Sequence, residues 1–162
     1  LGWFAVNPTQ VPPVSLTISY WMIGAFFMAT KRFSEYRSID EATTAGAYRS
    51  SFRHYDEGRL IVSMFFYATA AALFLGVFII RYHLELILAV PLIAGFFSYY
   101  MQVALKPDSP AQNPERLYRE RGLMIYLVLC VAAFFLLMFV RIDALYELFN
   151  VPTPEVSPLW RF

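Results

Sequence analysis

Four apolar runs without a single charged residue decide most of what this chain can fold into. They are Val14 to Thr30 (VSLTISYWMIGAFFMAT), Leu60 to Ile80 (LIVSMFFYATAAALFLGVFII), Leu86 to Leu105 (LILAVPLIAGFFSYYMQVAL) and Gly122 to Val140 (GLMIYLVLCVAAFFLLMFV). A helix needs roughly 20 predominantly apolar residues to cross the hydrocarbon core, where only backbone groups paired within the segment are tolerated. Each run is close to that length. The expected fold class is therefore all-α: a polytopic membrane helix bundle of four transmembrane helices, one membrane domain over residues 1–162. Composition points the same way. Hydrophobic residues make up 59% of the chain and charged residues 15%, against about 25% charged in ordinary soluble domains. Pro91 falls inside the third run and is expected to kink it.

The connections are unequal. Lys31 to Arg59 joins the first two runs, the five residues RYHLE join the second and third, and KPDSPAQNPERLYRER joins the third and fourth. Of the thirteen Lys and Arg, ten lie in the two long connections: Lys31, Arg32, Arg37, Arg49, Arg53, Arg59, Lys106, Arg116, Arg119 and Arg121. The positive-inside rule places both connections in the cytoplasm, in an integral protein of the inner or plasma membrane. The first connection is longer than helix–helix links usually are, which predicts a functional segment with helix of its own. Its sequence fits a helical continuation of the first run, a turn near Gly46 and a short helix into the second run. In the last connection Asn113 suits an N-cap, Pro114 the first helical position and Glu115 the positive helix start. That predicts a short amphipathic helix running into the fourth span.

Several function classes lose ground here. A net charge of +1 gives no reason to expect nucleic acid. The single cysteine, Cys130, allows no disulfide within the chain and no cysteine metal cluster. The four runs hold no ionisable acid, base or histidine, which argues against a small transporter. The chain begins at Leu1 without the pattern of a signal peptide, and is expected to be a piece of a longer protein.

Chemistry concentrates where the first run ends, in MATKRFSEYRSIDEA. On a helix Lys31 and Glu35 share a face, and Arg32 and Tyr36 a neighbouring one. Lys31 and Arg32 suit a phosphate or diphosphate, as a point charge and a planar fork. Glu35 and Asp40 are candidate ligands for Mg2+, which takes a few carboxylates and leaves positions for substrate oxygens. Arg37, Arg49, Arg53, His54 and Tyr55 are candidate substrate-binding residues on the same surface. A plainer reading stands beside this one. Lys31 and Arg32 can snorkel to the interface, Glu35 can pair with Lys31, and His54 and Tyr55 can anchor at headgroup level.

Three stretches in order, MIGAFFMATKRFSEYR, YRSSFRHYDEGRL and DSPAQNPERLYRERGLM, resemble the C-terminal half of the UbiA superfamily of membrane prenyltransferases. The resemblance implies a nine-helix fold of which these would be the last four spans. It also implies an acidic motif in the N-terminal half and a second at KRFSEYRSID. Lys31, Arg32 and Glu35 stand where aspartates are usual. That form resembles the branch transferring phosphoribosyl from phosphoribosyl diphosphate to a polyprenyl phosphate. The implied activity is Mg2+-dependent transfer with diphosphate leaving, with Lys31, Arg32 and Glu35 as catalytic residues. The implied partner is an isoprenoid diphosphate or a polyprenyl phosphate, in contact with membrane lipid. Phe26, Phe27, Phe65 and Tyr99 are suggested to line a cavity for the isoprenoid tail. Without the remaining half the chain is expected to be inactive. The alternative is a non-catalytic membrane subunit that binds lipid or a partner.

Overall fold

A computed structural model describes residues 13–38, 56–106, 109–112 and 114–151. Among these residues all regular structure is helical. Helix α1 is Val14–Arg37 and α2 is Glu57–Tyr82. After His83 a 3-10 segment, Leu84–Ala89, leads into α3, Val90–Ala104. A 3-10 turn, Pro110–Gln112, and the single-turn α4, Pro114–Leu117, occupy the next connection. Helix α5 is Arg121–Phe139 and α6 is Asp143–Leu148.

Among the described residues three helical stretches are long and apolar enough to cross a membrane: Glu57–Tyr82, Leu84–Ala104 and Arg121–Phe139. They match the second, third and fourth runs to within a few residues. Helix α1 covers the whole first run and continues past it to Arg37. It is less apolar than the other three, because Ser15, Thr17, Ser19 and Thr30 dilute it.

Those hydroxyls have a structural use. Thr17 Oγ1 donates to Pro13 O at 3.2 Å and Thr30 Oγ1 to Phe26 O at 2.8 Å, so both stay satisfied within their own segment. Ser19 Oγ reaches across and donates to Ala71 O at 3.0 Å. The buried residues of α1 are Ser19, Phe26, Thr30, Phe33 and Ser34, and those of α2 are Leu60, Met64, Ala71, Leu75, Phe78 and Ile79. Each set recurs at multiples of three and four and so marks one stripe. The stripes face each other antiparallel, Ser19 beside Ala71 and Arg37 beside Glu57. Lipid tails are as apolar as leucine, so in a bilayer this seam depends on close packing and on hydrogen bonds such as Ser19's, each worth about 0.6 kcal/mol.

Helices α3 and α5 are also antiparallel, and they interlock through two Gly-x-x-x-Tyr pairs. The Tyr126 hydroxyl lies against Gly95, and the Tyr99 hydroxyl lies against Gly122. A Cβ at either glycine would meet the opposing hydroxyl in van der Waals overlap. The two tyrosine rings meet edge to face, 6.2 Å between centroids.

Two expectations are corrected. Pro91 does not kink the middle of a helix. It sits in the first turn of α3, where its missing N–H costs nothing, and the residues before it take the tighter 3-10 path. The helix starting at Pro114 does not run into α5. It closes after one turn, with Arg119 N–H on Arg116 O and Glu120 N–H on Leu117 O, and α5 starts afresh at Arg121. Asn113 and the expected turn at Gly46 lie outside the described residues.

Buried side chains gather in two clusters, one towards each end. The first joins Phe26 and Phe33 of α1, Leu60 and Met64 of α2, Tyr100 and Ala104 of α3, Ala111 of the last connection and Leu123 of α5. The second joins Leu75, Phe78 and Ile79 of α2 to Leu86, with Phe134, Leu137 and Met138 of α5 packed on it. The first cluster brings the end of α1, the start of α2 and the α3–α5 connection to one end of the bundle. The described ends of both charged connections therefore share one end of the bundle.

Candidate functional site

The last two turns of α1 carry the charged group that the sequence singled out. Thr30, Phe33 and Ser34 are buried along one side of the helix. At roughly 100° per residue, Lys31, Arg32 and Glu35 fall on the opposite side. Their backbone is held by a packed face, so the charges sit on a rigid element.

Glu35 is the centre of the group. Arg32 Nη1 donates to its Oε2 at 2.9 Å, and Lys31 Nζ lies 3.9 Å from its Oε1. The three side chains are only 34%, 26% and 18% exposed, in the order Lys31, Arg32, Glu35. The sequence paired Lys31 with Glu35 and Arg32 with Tyr36. In the structure Arg32 is the closer partner of Glu35, and Tyr36 packs against the first buried cluster. Arg37 turns the other way. Its guanidinium lies 5.7 Å over the Phe33 ring and its Nε is 3.8 Å from Glu57 Oε1, which ties α1 to the start of α2.

This arrangement is not the one helix stability favours. A carboxylate in the last turns opposes the helix dipole, and Lys preceding Glu is the weaker order of an i,i+4 pair. Among the described residues of that face, two cations stand against one carboxylate.

The α3–α5 connection docks beside it. Ser109 is buried, its Oγ donating to Val103 O at 2.8 Å and accepting from Ala111 N–H at 3.2 Å. One hydroxyl thus caps the end of α3 and sets the turn that presses Ala111 into the cluster around Phe33. Lys106 Nζ, 3.5 Å from Glu120 Oε1, joins the two ends of the connection.

Asp40, Arg49, Arg53, His54 and Tyr55 lie outside the described residues. Among the described residues no three His, Cys, Asp or Glu come together to hold a metal. The carboxylate oxygens of Glu35 are turned to Arg32 and Lys31. The suggested cavity lining does not hold as one surface. Phe26 is buried and Phe27 packs with Phe96, Phe97 and Tyr100 in a continuous aromatic stack, whereas Phe65 is exposed. Tyr99 is committed to Gly122.

One buried ionisable group escaped the sequence reading. Glu85, counted there in a short loop, lies in the 3-10 segment and is 2% exposed. Its acceptors are filled from the far side of the chain, by Ile142 N–H at 3.3 Å and the Tyr146 hydroxyl at 3.2 Å. No local signal announces this. Comparison with family models, with curated proteins and with solved structures finds no match to the chain.

Proposed function

We propose that this chain is the C-terminal part of a UbiA-like intramembrane transferase, in which the Lys31–Arg32 side of α1 takes a phosphate or diphosphate. The observation that carries this reading is the pair of cations on a rigid, half-buried helix face, partly neutralised by a carboxylate placed against its own helix's preference. The resemblance of KRFSEYRSID to the second motif of that superfamily adds the substrate class: an isoprenoid diphosphate, or a polyprenyl phosphate that accepts phosphoribose. In either reaction the carbon–oxygen bond to diphosphate breaks and the acceptor's oxygen or carbon forms the new bond. Lys31 and Arg32 stabilise the charge that builds on the leaving diphosphate, a contribution that often dominates catalysis. Glu35 holds both cations in place before the anion arrives. A magnesium ion belongs to this reading only with Asp40 and the substrate's own oxygens as additional ligands. The reading further has α1 crossing the membrane as a fourth span and the site facing the cytoplasm.

The test uses the full-length protein in detergent, assayed with magnesium and both classes of donor. Lys31→Ala and Arg32→Ala should each lower turnover by roughly 2–4 kcal/mol of transition-state stabilisation, with folded yield little changed. Wild-type turnover in both variants removes Lys31 and Arg32 from the site and leaves them as interfacial anchors, and a full-length wild type without transfer removes the transferase reading.

A second reading has one specific support. Glu35 already neutralises much of the Lys31–Arg32 charge, as expected of interfacial residues in a non-catalytic bundle that binds anionic lipid. In that case the same variants should weaken association with anionic vesicles, and the full-length protein should show no transfer.

A further inference from the structure

Helix α6 follows α5 after only Val140, Arg141 and Ile142, so its start lies within about 14 Å of the end of a stretch that can cross a membrane. It does not lead away from the bundle. The 3-10 segment that opens another such stretch, Leu84–Ala104, packs against α6 as well as against α2, α3 and α5. Glu85, the second residue of that stretch, is buried and accepts from Ile142 N–H at 3.3 Å and from the Tyr146 hydroxyl at 3.2 Å. One donor is the N-cap of α6 and the other lies one turn inside it, so the helix is fixed in place and in rotation. At its far end Asn150 takes a left-handed backbone, with φ 50°, and Val151 N–H returns to Tyr146 O at 3.1 Å. Helix α6 is thereby pinned at the level where apolar stretches begin and end.

The fixed rotation decides which side chains face outward. Tyr146 is turned to the bundle and buried. At roughly 100° per residue, Ala144 and Leu148 straddle the opposite side. Leu145 and Phe149 line one flank, and Asp143 and Glu147 the other. Apolar residues thus cover the outer side and one flank, and both carboxylates share the remaining flank. Leu148 is 76% and Phe149 47% exposed. Such exposure is ordinary on a helix that crosses a membrane, but six residues are too few to cross. The apolar face follows directly in the chain on Phe139 and Val140, which are exposed at the end of α5. Nearby cations suit the same level. Arg81 lies over the Tyr82 ring at the end of α2, and Arg141 pairs with Asp143 at 3.0 Å. Long cations and aromatic rings at such ends reach the headgroups.

We propose that α6 lies in the headgroup layer of the bilayer at the end of the bundle opposite the charged site, with Leu148 and Phe149 in the acyl boundary and Asp143 and Glu147 towards water. The partner is the lipid surface itself. Interfacial helices bind through buried apolar area and, where they are basic, through anionic lipid. Helix α6 carries two carboxylates and no cation of its own, so its contact is apolar and does not require anionic lipid. The two hydrogen bonds to Glu85 set the angle at which the apolar face meets the lipid.

The test places single nitroxide labels on the full-length protein, its native cysteines replaced, in nanodiscs of phosphatidylcholine alone. The labelled variants are Asp143→Cys, Ala144→Cys, Glu147→Cys and Leu148→Cys, all at exposed positions. Collisions with oxygen, which concentrates in hydrocarbon, are compared with collisions with a water-soluble nickel chelate. The oxygen-to-nickel ratio should be at least about tenfold higher at 144 and 148 than at 143 and 147, as for an apolar face sunk about 5–10 Å into the headgroup and acyl boundary. Nickel access at all four positions would put α6 in water and overturn the proposal. Exclusion of both reagents at 144 and 148 would show that protein, this chain or a second copy, covers the face, and would overturn it equally. A second variant reads the same contact without a label. Leu148→Asp leaves the inward face intact, and in the same nanodiscs it should raise amide exchange over residues 141–151 at least about tenfold, since so short a helix does not persist undocked. Exchange there equal to that of the wild type would also overturn the assignment.

Discussion

Glu35 and Glu85 are carboxylates held in opposite ways. Glu35 faces two cations on its own helix, and Glu85 faces two neutral donors brought from another part of the chain. The first arrangement can exchange partners, since an incoming phosphate offers Lys31 and Arg32 what Glu35 offers them now. Glu35→Gln should therefore raise the affinity of the full-length protein for pyrophosphate by about two- to fivefold in calorimetry without metal, the range expected from losing one or two partly exposed ion pairs. Under the transferase reading turnover should fall at the same time. Unchanged pyrophosphate affinity would mean that this face does not bind the anion. Tyr146 makes a prediction at alkaline pH. Its phenol titrates above its ordinary value of 10.0 because of burial, then the Glu85 charge and hydrogen bond. A phenol is neutral in acid, so a raised folded value means the folded state holds the proton more tightly. That stabilisation is complete below the unfolded tyrosine value and is lost as pH rises through the folded one. Subtracting the tyrosinate absorbance titration of Tyr146→Phe from that of the wild type should reveal one group titrating late; a difference curve centred near 10 would contradict the buried contact. The Glu35 grouping was legible in the sequence because its partners lie three and four residues away. Glu85 was not, because its burial depends on donors fifty-seven and sixty-one residues further on.

Helices were easier to foresee than their junctions. Long charge-free runs set α2 and α5 to within a few residues, since the first charges beyond the runs fix where apolar packing stops. Pro91 misled because its place in an apolar run says nothing about whether a helix passes through it or starts at it. The α3–α5 contact was equally hidden, as its pairing joins Gly95 to Tyr126 and Gly122 to Tyr99 only once the two helices lie antiparallel. That contact makes a sharp prediction. Gly95→Ala gains about 1 kcal/mol of helix propensity but forces the Tyr126 ring to move, an overpacking cost of about 1–3 kcal/mol. The net result should be a loss of about 1 kcal/mol, and adding Tyr126→Phe should recover most of it, because only the hydroxyl meets the new methyl first. Gly76→Ala is the control: a Cβ there meets nothing within 4 Å, so the propensity gain should stand alone. Thermal unfolding in mild detergent with the four proteins measures the coupling. Independent effects of Gly95→Ala and Tyr126→Phe would show that the two helices do not interlock there.

At the scale of the whole molecule, the arrangement of the ends is what any function must use. Helix α1, at 24 residues, is about 36 Å long by the usual rise per residue and runs antiparallel to α2 along one buried stripe. That exceeds the roughly 30 Å hydrocarbon core, so α1 can cross despite its hydroxyls, of which those of Thr17, Ser19 and Thr30 are already paired. If it crosses, Val14 and α6 lie on one side of the membrane and the α3–α5 connection on the other, the basic side. Single cysteines test this directly, with Cys130 buried and poorly placed to react. Ser109 looks suitable from its place in a loop but is 3% exposed and doubly hydrogen-bonded, so the better reporter in that connection is Tyr118, 74% exposed. Val14, 62% exposed, reports the start of α1, and the exposed Glu147 reports α6. In sealed cells an impermeant maleimide should label Val14→Cys and Glu147→Cys, and should reach Tyr118→Cys only after permeabilisation. Labelling of Val14→Cys together with Tyr118→Cys, and apart from Glu147→Cys, would leave three crossings and lay α1 along the membrane. Labelling of Tyr118→Cys from outside would invert the orientation, and with it the reading of Lys31 and Arg32 as a face open to cytoplasmic phosphates.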